Sequence, residues 1–88
     1  MIFVSLGKFR RKPSAETSAA TNKMLEDMKK MGIKVTGFYW TLGRYDTVLI
    51  FEAPNEKEAM KLAINASELV ATETMVAIPR EEATTFSK

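Results

Sequence analysis

The spacing of apolar residues switches repeatedly between strand-like and helix-like, and this constrains the fold more than any other feature of the sequence. In four segments apolar residues recur at every second position, which predicts strands. These segments are residues 2–9, 33–41, 46–53 and 70–79. Residues 15–31 and the segment after Asn55 repeat apolar residues at intervals of three or four, which predicts two amphipathic helices.

The resulting order, β-α-β-β-α-β, predicts an α+β domain of the ferredoxin-like kind. In that fold a four-stranded antiparallel sheet carries both helices on one face. Ser14 is placed to cap the first helix, and Gly32 is placed to end it. Asn55 and Glu58 form a capping pair for the second helix. The tail, residues 80–88, is expected to add a helical turn or to fray.

The composition bounds the possible functions. The chain has 88 residues, enough for one domain over residues 1–88 and too few for two. It contains no histidine and no cysteine, so zinc sites built on those residues, cysteine nucleophiles and Ser-His-Asp triads are excluded. We therefore expect no metal and no cofactor. No apolar run is long enough to span a membrane and no signal peptide precedes the first strand, so we expect a cytoplasmic protein. Lysine and glutamate dominate the charges and glutamine is absent, a pattern seen in proteins from hot environments.

Both faces of the predicted sheet are apolar, but they differ in chemistry. One set is aliphatic and mostly β-branched, and its match to the alanines and methionines of the helices predicts that it forms the core. This set is Ile2, Val4, Leu6, Val35, Val48 and Ile50. The other set combines aromatic rings with hydroxyl groups and is expected on the open face, away from the helices. This set is Phe3, Ser5, Phe9, Thr36, Phe38, Trp40, Thr47, Leu49 and Phe51.

An open face with several aromatic residues is a larger apolar patch than monomers usually expose. Its simplest cover is the same face of a second copy, so we expect a homodimer whose sheets close into a dimeric α/β barrel, with higher oligomers left open. The same residues serve either as interface core or as the lining of a small-molecule cavity between subunits. The candidate ligand-binding or interface residues are Phe3, Ser5, Thr36, Phe38, Trp40, Leu49 and Phe51. Nucleic-acid binding by this face is disfavoured, because the net charge is only +2 and no strand carries the basic-aromatic motif of RNA-binding sheets.

The turn between the second and third strands is the most distinctive local feature. Gly43 permits a positive φ, and Asp46 is suited to accept backbone N–H bonds that fix the turn. Tyr45 has an apolar ring and a polar tip, which suits the edge of an interface. A second interpretation makes Tyr45 and Asp46 an acid/base pair at the mouth of a pocket, and the residues leave both interpretations open.

This turn resembles the GYD domain family, whose name comes from the Gly-x-Tyr-Asp pattern found here at Gly43, Tyr45 and Asp46. The resemblance runs from about residue 2 to about residue 82 and is most specific over residues 39–54. It implies the ferredoxin-like fold and the dimeric α/β barrel, in a family without an established activity.

Two segments depart from the family pattern. The segment after Phe9 is shorter than usual, with Arg10, Arg11, Lys12 and Pro13 in its place, and Glu68 occupies a loop position where glycine is common. If the longer segment covers a pocket in relatives, the pocket of this chain is expected to be more open.

Three functions remain open on the sequence. The first is a regulatory or accessory module that binds a small apolar or aromatic ligand between subunits. The second is a cofactor-free enzyme, such as a monooxygenase or isomerase, with Tyr45 and Asp46 as its acid and base. That possibility rests on fold analogy, and the absence of histidine weakens it. The third is a purely structural assembly unit.

Overall fold

The computed structural model describes residues 1–87 and confirms the predicted α+β fold. Four strands and two long helices follow one another in the expected order, and a short helix and a 3₁₀ turn come after the last strand. The elements are β1 (Ile2–Phe9), α1 (Ala15–Lys30), β2 (Lys34–Trp40), β3 (Thr47–Glu52), α2 (Glu56–Ala66), β4 (Val70–Ala77), α3 (Arg80–Ala83) and the 3₁₀ turn (Thr84–Ser87). Over the described residues, none of the helices is both long enough and apolar enough to span a bilayer.

The strands form one antiparallel sheet in the order β2-β3-β1-β4. β1 and β3 are therefore neighbours at the centre of the sheet, as the ferredoxin-like fold requires, although they are not consecutive in the chain. The register pairs Ser5 of β1 with Leu49 of β3 and with Thr74 of β4. Directly paired residues share a face, so the register fixes which side chains lie together across the sheet.

Local sequence determines where α1 begins and ends. Ser14 and Thr17 form a capping box, in which the Ser14 hydroxyl accepts from the Thr17 amide at 3.2 Å and the Thr17 hydroxyl accepts from the Ser14 amide at 2.8 Å. At the other end Gly32 adopts a φ of 77°, and the Ile33 amide donates to the Met28 carbonyl at 2.9 Å. Ile33 and Met28 are both buried, which completes a Schellman motif with its hydrophobic contact.

We predict that Gly32→Ala lowers the free energy of unfolding by about 1 kcal/mol, because alanine is strained at positive φ. A Cβ at this position meets nothing nearer than Pro54 Cγ at 4.0 Å, so the cost is conformational and not steric. Urea unfolding followed by circular dichroism measures it. Gly32→Asn is the control and should cost less, because asparagine tolerates the left-handed region. Equal stability of the alanine variant would contradict the assigned helix end.

The two faces of the sheet are the reverse of the prediction. The aromatic and hydroxyl set lies beneath the helices, and the aliphatic set lies on the open face. Phe3 and Phe51 are 3% and 1% exposed and stack with ring centroids 5.3 Å apart. They pack in the core with Met28, Ile33 and the buried residues of α2.

The side chains of the helices explain why the aromatic face of the sheet is the covered one. Residues of α2 that face the sheet include Ala59, Ala63 and Ala66, which leave space that large rings fill better than branched aliphatic side chains do. A strand that is apolar on both faces does not itself indicate which face is covered, because its side chains alternate with a period of two in either case. Tertiary packing against the helices therefore determines which face is covered, and the predicted strand positions are not the source of the difference.

Two details of the predicted sets also differ. A β-bulge lies between Val35 and Gly37, so Val35 packs against the core, unlike the rest of the aliphatic set, and Thr36 is exposed. On α2, the repeat of apolar residues that predicts an amphipathic helix is only partly buried, because Met60 and Ile64 are 64% and 63% exposed on the outer side.

Candidate functional site

The clearest candidate site is a cleft between α1 and the sheet, on the covered side of the sheet. Its volume is about 270 Å³, and aromatic, aliphatic and hydroxyl-bearing side chains line it. We call it the α1 cleft and define it by Phe9, Leu25, Phe38, Trp40, Thr47 and Val70, with Thr17 and Thr21 of α1 along the rim. Mostly apolar walls with a few polar groups are typical of small-molecule sites.

The aromatic wall of the α1 cleft comes from two strands. Phe9 ends β1 and Trp40 ends β2, and their rings meet edge to face with centroids 5.3 Å apart. Trp40 remains 65% exposed although it lies on the covered side of an edge strand. Phe38 lies two residues earlier on the same side of β2 and packs against the core. A large indole exposed beside a cleft is positioned to contact whatever enters it.

The floor of the α1 cleft depends on a glycine in the central strand β1. Gly7 pairs with Thr47 on one side and with Thr72 on the other. A Cβ at Gly7 would lie 2.4 Å from Thr47 Oγ1 and 2.7 Å from Val70 Cγ2, closer than real contacts allow. Gly7 therefore leaves room for the Thr47 and Val70 side chains where both line the cleft.

A small inner cavity of about 40 Å³ shares Phe38, Thr47 and Val70 with the α1 cleft. Hydroxyl groups from three strands lie around it, together with apolar residues of α2. These hydroxyl groups belong to Ser5, Thr47, Thr72 and Thr74. The Thr74 hydroxyl donates to the Ser5 hydroxyl at 3.1 Å. Ser5 and Thr47 are 7% and 8% exposed and are the buried polar residues of the described chain.

A second groove, on the side of α1 that faces α2, is larger but has different chemistry. Its volume is about 380 Å³, and charged side chains from both sides line it: Arg11, Glu16, Lys23, Asp27 and Glu68. Arg11 and Glu68 approach to 4.0 Å with both side chains exposed. Such a pair contributes little to stability. Methionine and leucine side chains also line this groove, but it has no aromatic ring, so the α1 cleft is the better candidate for a ring compound.

In the turn between β2 and β3, Asp46 has a structural role. Asp46 Oδ2 accepts a hydrogen bond from the Phe9 amide at 2.8 Å, and the Asp46 amide donates to the Gly7 carbonyl at 2.8 Å. The Thr41 amide donates to the Asp46 carbonyl at 2.8 Å, which closes the turn. Gly43 has the predicted positive φ, at 108°. Asp46 thus fixes the end of β1, where Phe9 enters the wall of the α1 cleft.

Tyr45 points to a different partner. Its hydroxyl donates to Glu73 Oε2 at 2.7 Å. This hydrogen bond, together with desolvation and the negative charge of Glu73, raises the pKa of Tyr45 above its usual value, and Arg44 opposes the shift. A tyrosine with a raised pKa stays protonated at neutral pH, so it is a poor general base. Neither Tyr45 nor Asp46 lines the α1 cleft or its inner cavity.

We predict that Tyr45→Phe reduces the loss of stability at alkaline pH. The raised folded pKa means that the contribution of Tyr45 is complete below its unfolded pKa, near 10, and is lost as pH rises through the folded pKa. The temperature of thermal unfolding should therefore fall more steeply between about pH 8 and about pH 11 for the wild type than for the variant. Parallel curves for Tyr45→Phe and the wild type would contradict the assignment.

The structure separates the residues that the sequence grouped together. Phe3, Leu49 and Phe51 lie in the core, while Phe38 and Trp40 line the α1 cleft. Ser5 lies at the inner cavity. Thr36 is exposed at the bulge, where its hydroxyl donates to the Ile50 carbonyl at 3.2 Å. The prediction that these residues share the open face is wrong.

Sequence reasoning missed the contribution of α1 to the site. Thr17, Thr21 and Leu25 recur every four residues on the helix side that borders the cleft. This row of two threonines and one leucine is the sequence pattern that could have indicated that α1 lines the site. Among the described residues no cluster of three acidic side chains is arranged to hold a metal ion.

The open face of the sheet carries the aliphatic set. Ile2, Val4, Leu6, Val48 and Ile50 are partly exposed there, and Tyr39 and Met75 flank them at 59% and 45% exposure. The chain exposes 6396 Å², whereas a monomer of 9.9 kDa usually exposes about 5,200 Å². The difference, about 1,200 Å², belongs to the whole chain, in which Met60, Ile64 and Phe86 are also largely exposed.

Comparison with protein families gives a match over nearly the whole chain. The family model of the GYD domain matches residues 5–86, which covers both helices, all but the first residues of the sheet and most of the C-terminal segment. No curated protein matches the chain.

Proposed function

The chain belongs to the GYD domain family, and from its geometry we propose that it is a regulatory or accessory module that binds a small apolar ring compound in the α1 cleft. The functional unit is a pair of chains joined through their open sheet faces. In this proposal the ligand site lies within each chain and not between the two sheets, because the aromatic residues lie on the covered side.

One observation carries the proposal: the α1 cleft of about 270 Å³ has aromatic and aliphatic walls and an exposed indole at its mouth. Small-molecule sites usually have volumes of about 300 Å³ or more, so this cleft lies at the small end of the range. A cleft of that size suits a compound of one or two rings. The walls come from strand residues held in register by the sheet, and Asp46 fixes the strand end that carries Phe9. A largely preformed site loses little affinity to ordering on binding.

Nuclear magnetic resonance titration with naphthalene tests the proposal. Trp40 is the only tryptophan, so its indole N–H gives a single resonance that reports on the mouth of the cleft. We expect this resonance and the amide resonances of Gly7 and Val70 to shift in a saturable way. Saturable shifts confined to residues of the open face would overturn the proposed site.

We predict that Thr21→Phe weakens naphthalene binding at least tenfold, because the added ring occupies the α1 cleft from its rim. Tenfold corresponds to about 1.4 kcal/mol of binding free energy. Ala19→Phe is the matched control, since Ala19 is exposed on the same helix and does not line the cleft. The control should bind like the wild type. Equal binding by all three proteins would place the ligand elsewhere.

Support for the pair of chains comes from the open face. An aliphatic face of this kind resembles the inner face of a sheet packed on another sheet, where interdigitating side chains build a core. Its central residues, Val4 and Ile50, are directly paired across β1 and β3. A two-fold pair places the same patch on both partners, so the apolar surface of one copy matches that of the other.

A further inference from the structure

We propose that the inner end of the α1 cleft selects neutral ring compounds that carry a hydroxyl or carbonyl group, and that Thr47 is the residue that determines this specificity. The inference rests on the proposed ligand site and adds the chemical class of the ligand. It starts from the cluster of hydroxyl groups beneath the helices, which the strand pattern alone does not require.

The sheet register places these hydroxyl groups side by side. Thr47, Gly7 and Thr72 form one row across three strands, and Leu49, Ser5 and Thr74 form the next. Gly7 thus lies between two threonines and adds no side chain of its own. The result is a polar patch about the inner cavity, beneath an otherwise apolar cleft.

Thr47 differs from the other buried hydroxyl residue because it has no partner. Ser5 is paired with Thr74, but within residues 1–87 the Thr47 hydroxyl makes no hydrogen bond to another residue. Thr47 is 8% exposed and lines both the cleft and the inner cavity. No fully enclosed side-chain polar atom of the described chain lacks a partner, so the Thr47 hydroxyl oxygen keeps some accessible surface. An unpaired hydroxyl at the floor of an apolar cleft is a ready partner for a polar ligand group.

The chemistry around Thr47 favours a neutral group over a charged one. Hydroxyl, aromatic and aliphatic side chains surround the inner cavity, and no charged residue lines it. A carboxylate placed there would lose its hydration without gaining a cation, which is costly. A hydroxyl or carbonyl oxygen needs one hydrogen bond, which Thr47 supplies. Arg11 lines the cleft but its side chain is exposed and lies near Glu68.

Three probes with one ring system test the inference. These are naphthalene, 2-naphthol and 2-naphthoate, which differ only in the polar group and its charge at neutral pH. We expect 2-naphthol to bind about tenfold more tightly than naphthalene, as one added hydrogen bond allows. We expect 2-naphthoate to bind more weakly than 2-naphthol. The Trp40 indole resonance follows all three titrations.

Variants of Thr47 assign the effect to one hydroxyl. Thr47→Val keeps the shape and removes the hydroxyl, so the ratio of 2-naphthol affinity to naphthalene affinity should fall from about ten to about one, whatever the change in the naphthalene affinity itself. Thr47→Ser retains a hydroxyl and should retain the preference. Thr36→Val is the matched control, because Thr36 lies at the exposed bulge away from the cleft. Its probe affinities should equal those of the wild type.

The outcomes separate this inference from the proposed function. If naphthalene binds in the α1 cleft but 2-naphthol binds no more tightly, or if Thr47→Val keeps the full preference, the inference is overturned and the binding module stands. If 2-naphthoate binds best, the inference is likewise overturned. If no probe shifts the resonances of the cleft, both proposals fail.

Discussion

Phe51→Ala should lower the free energy of unfolding by about 3–5 kcal/mol, the usual cost of removing a buried ring. Phe51 is 1% exposed and stacks on Phe3, and helix residues close the space above it. The free energy of unfolding of a domain of this size is about 5–10 kcal/mol, so the variant should lose much of its stability or fail to fold. Urea unfolding followed by circular dichroism measures the change. Phe51→Leu keeps most of the volume and provides a measurable value if the alanine variant is unfolded.

Ile50→Ala gives the matched comparison on the neighbouring residue. Ile50 faces the opposite side of the sheet and is partly exposed in the single chain. Its effect should depend on protein concentration, because an interface residue stabilises the chain only through the dimer. The effect of Phe51→Leu should not depend on concentration. If Ile50 behaved as a core residue at every concentration and Phe51 did not, the assignment of the two faces would be wrong.

Ile50→Asp should dissociate the proposed pair of chains into monomers, with the dissociation constant raised at least about 100-fold. Ile50 lies at the centre of the open face, between Val4 of β1 and Gly37 of β2. In a two-fold pair this substitution places one carboxylate from each chain in an apolar interface, where neither carboxylate gains a cation as a partner. Sedimentation velocity over a range of concentrations measures the shift.

Ile64→Asp is the control for this experiment. Ile64 is 63% exposed on the outer side of α2, so the chemical change is the same but the surface is different. The control should keep the sedimentation coefficient of the wild type. A wild type that remains monomeric at high concentration would contradict the proposed pair, and a monomeric Ile64→Asp would move the interface to the helices.

Much of the fold is predictable because its signals are local. Ser14 and Asn55 cap the helices as expected, and their side-chain oxygens accept from the amides of Thr17 and Glu58. Gly32 ends α1 in the left-handed conformation that glycine tolerates best. Each of these depends on residues only a few positions apart, so the element order follows from the sequence.

The covered face of the sheet is not predictable in the same way. Phe51 and Ile50 are adjacent and both apolar, and either fits a core by hydrophobicity alone. Only the small side chains of α2, such as Ala59 and Ala66, favour the larger ring, and they lie outside the strand pattern. The same limit applies to the site. Phe38 and Trp40 are identifiable as candidates, but their partners on α1 become apparent only once the helix is packed.

The central claim is that the aromatic residues of the strands line a ligand site beside α1, while the aliphatic face pairs the chains. Nuclear Overhauser effects between 2-naphthol and the protein test it most directly. The account predicts contacts from the ring protons to Leu25 and Phe38 of the α1 cleft, with none to Val4 or Ile50 of the open face. Contacts to Val4 and Ile50 in place of Leu25 and Phe38 would contradict it.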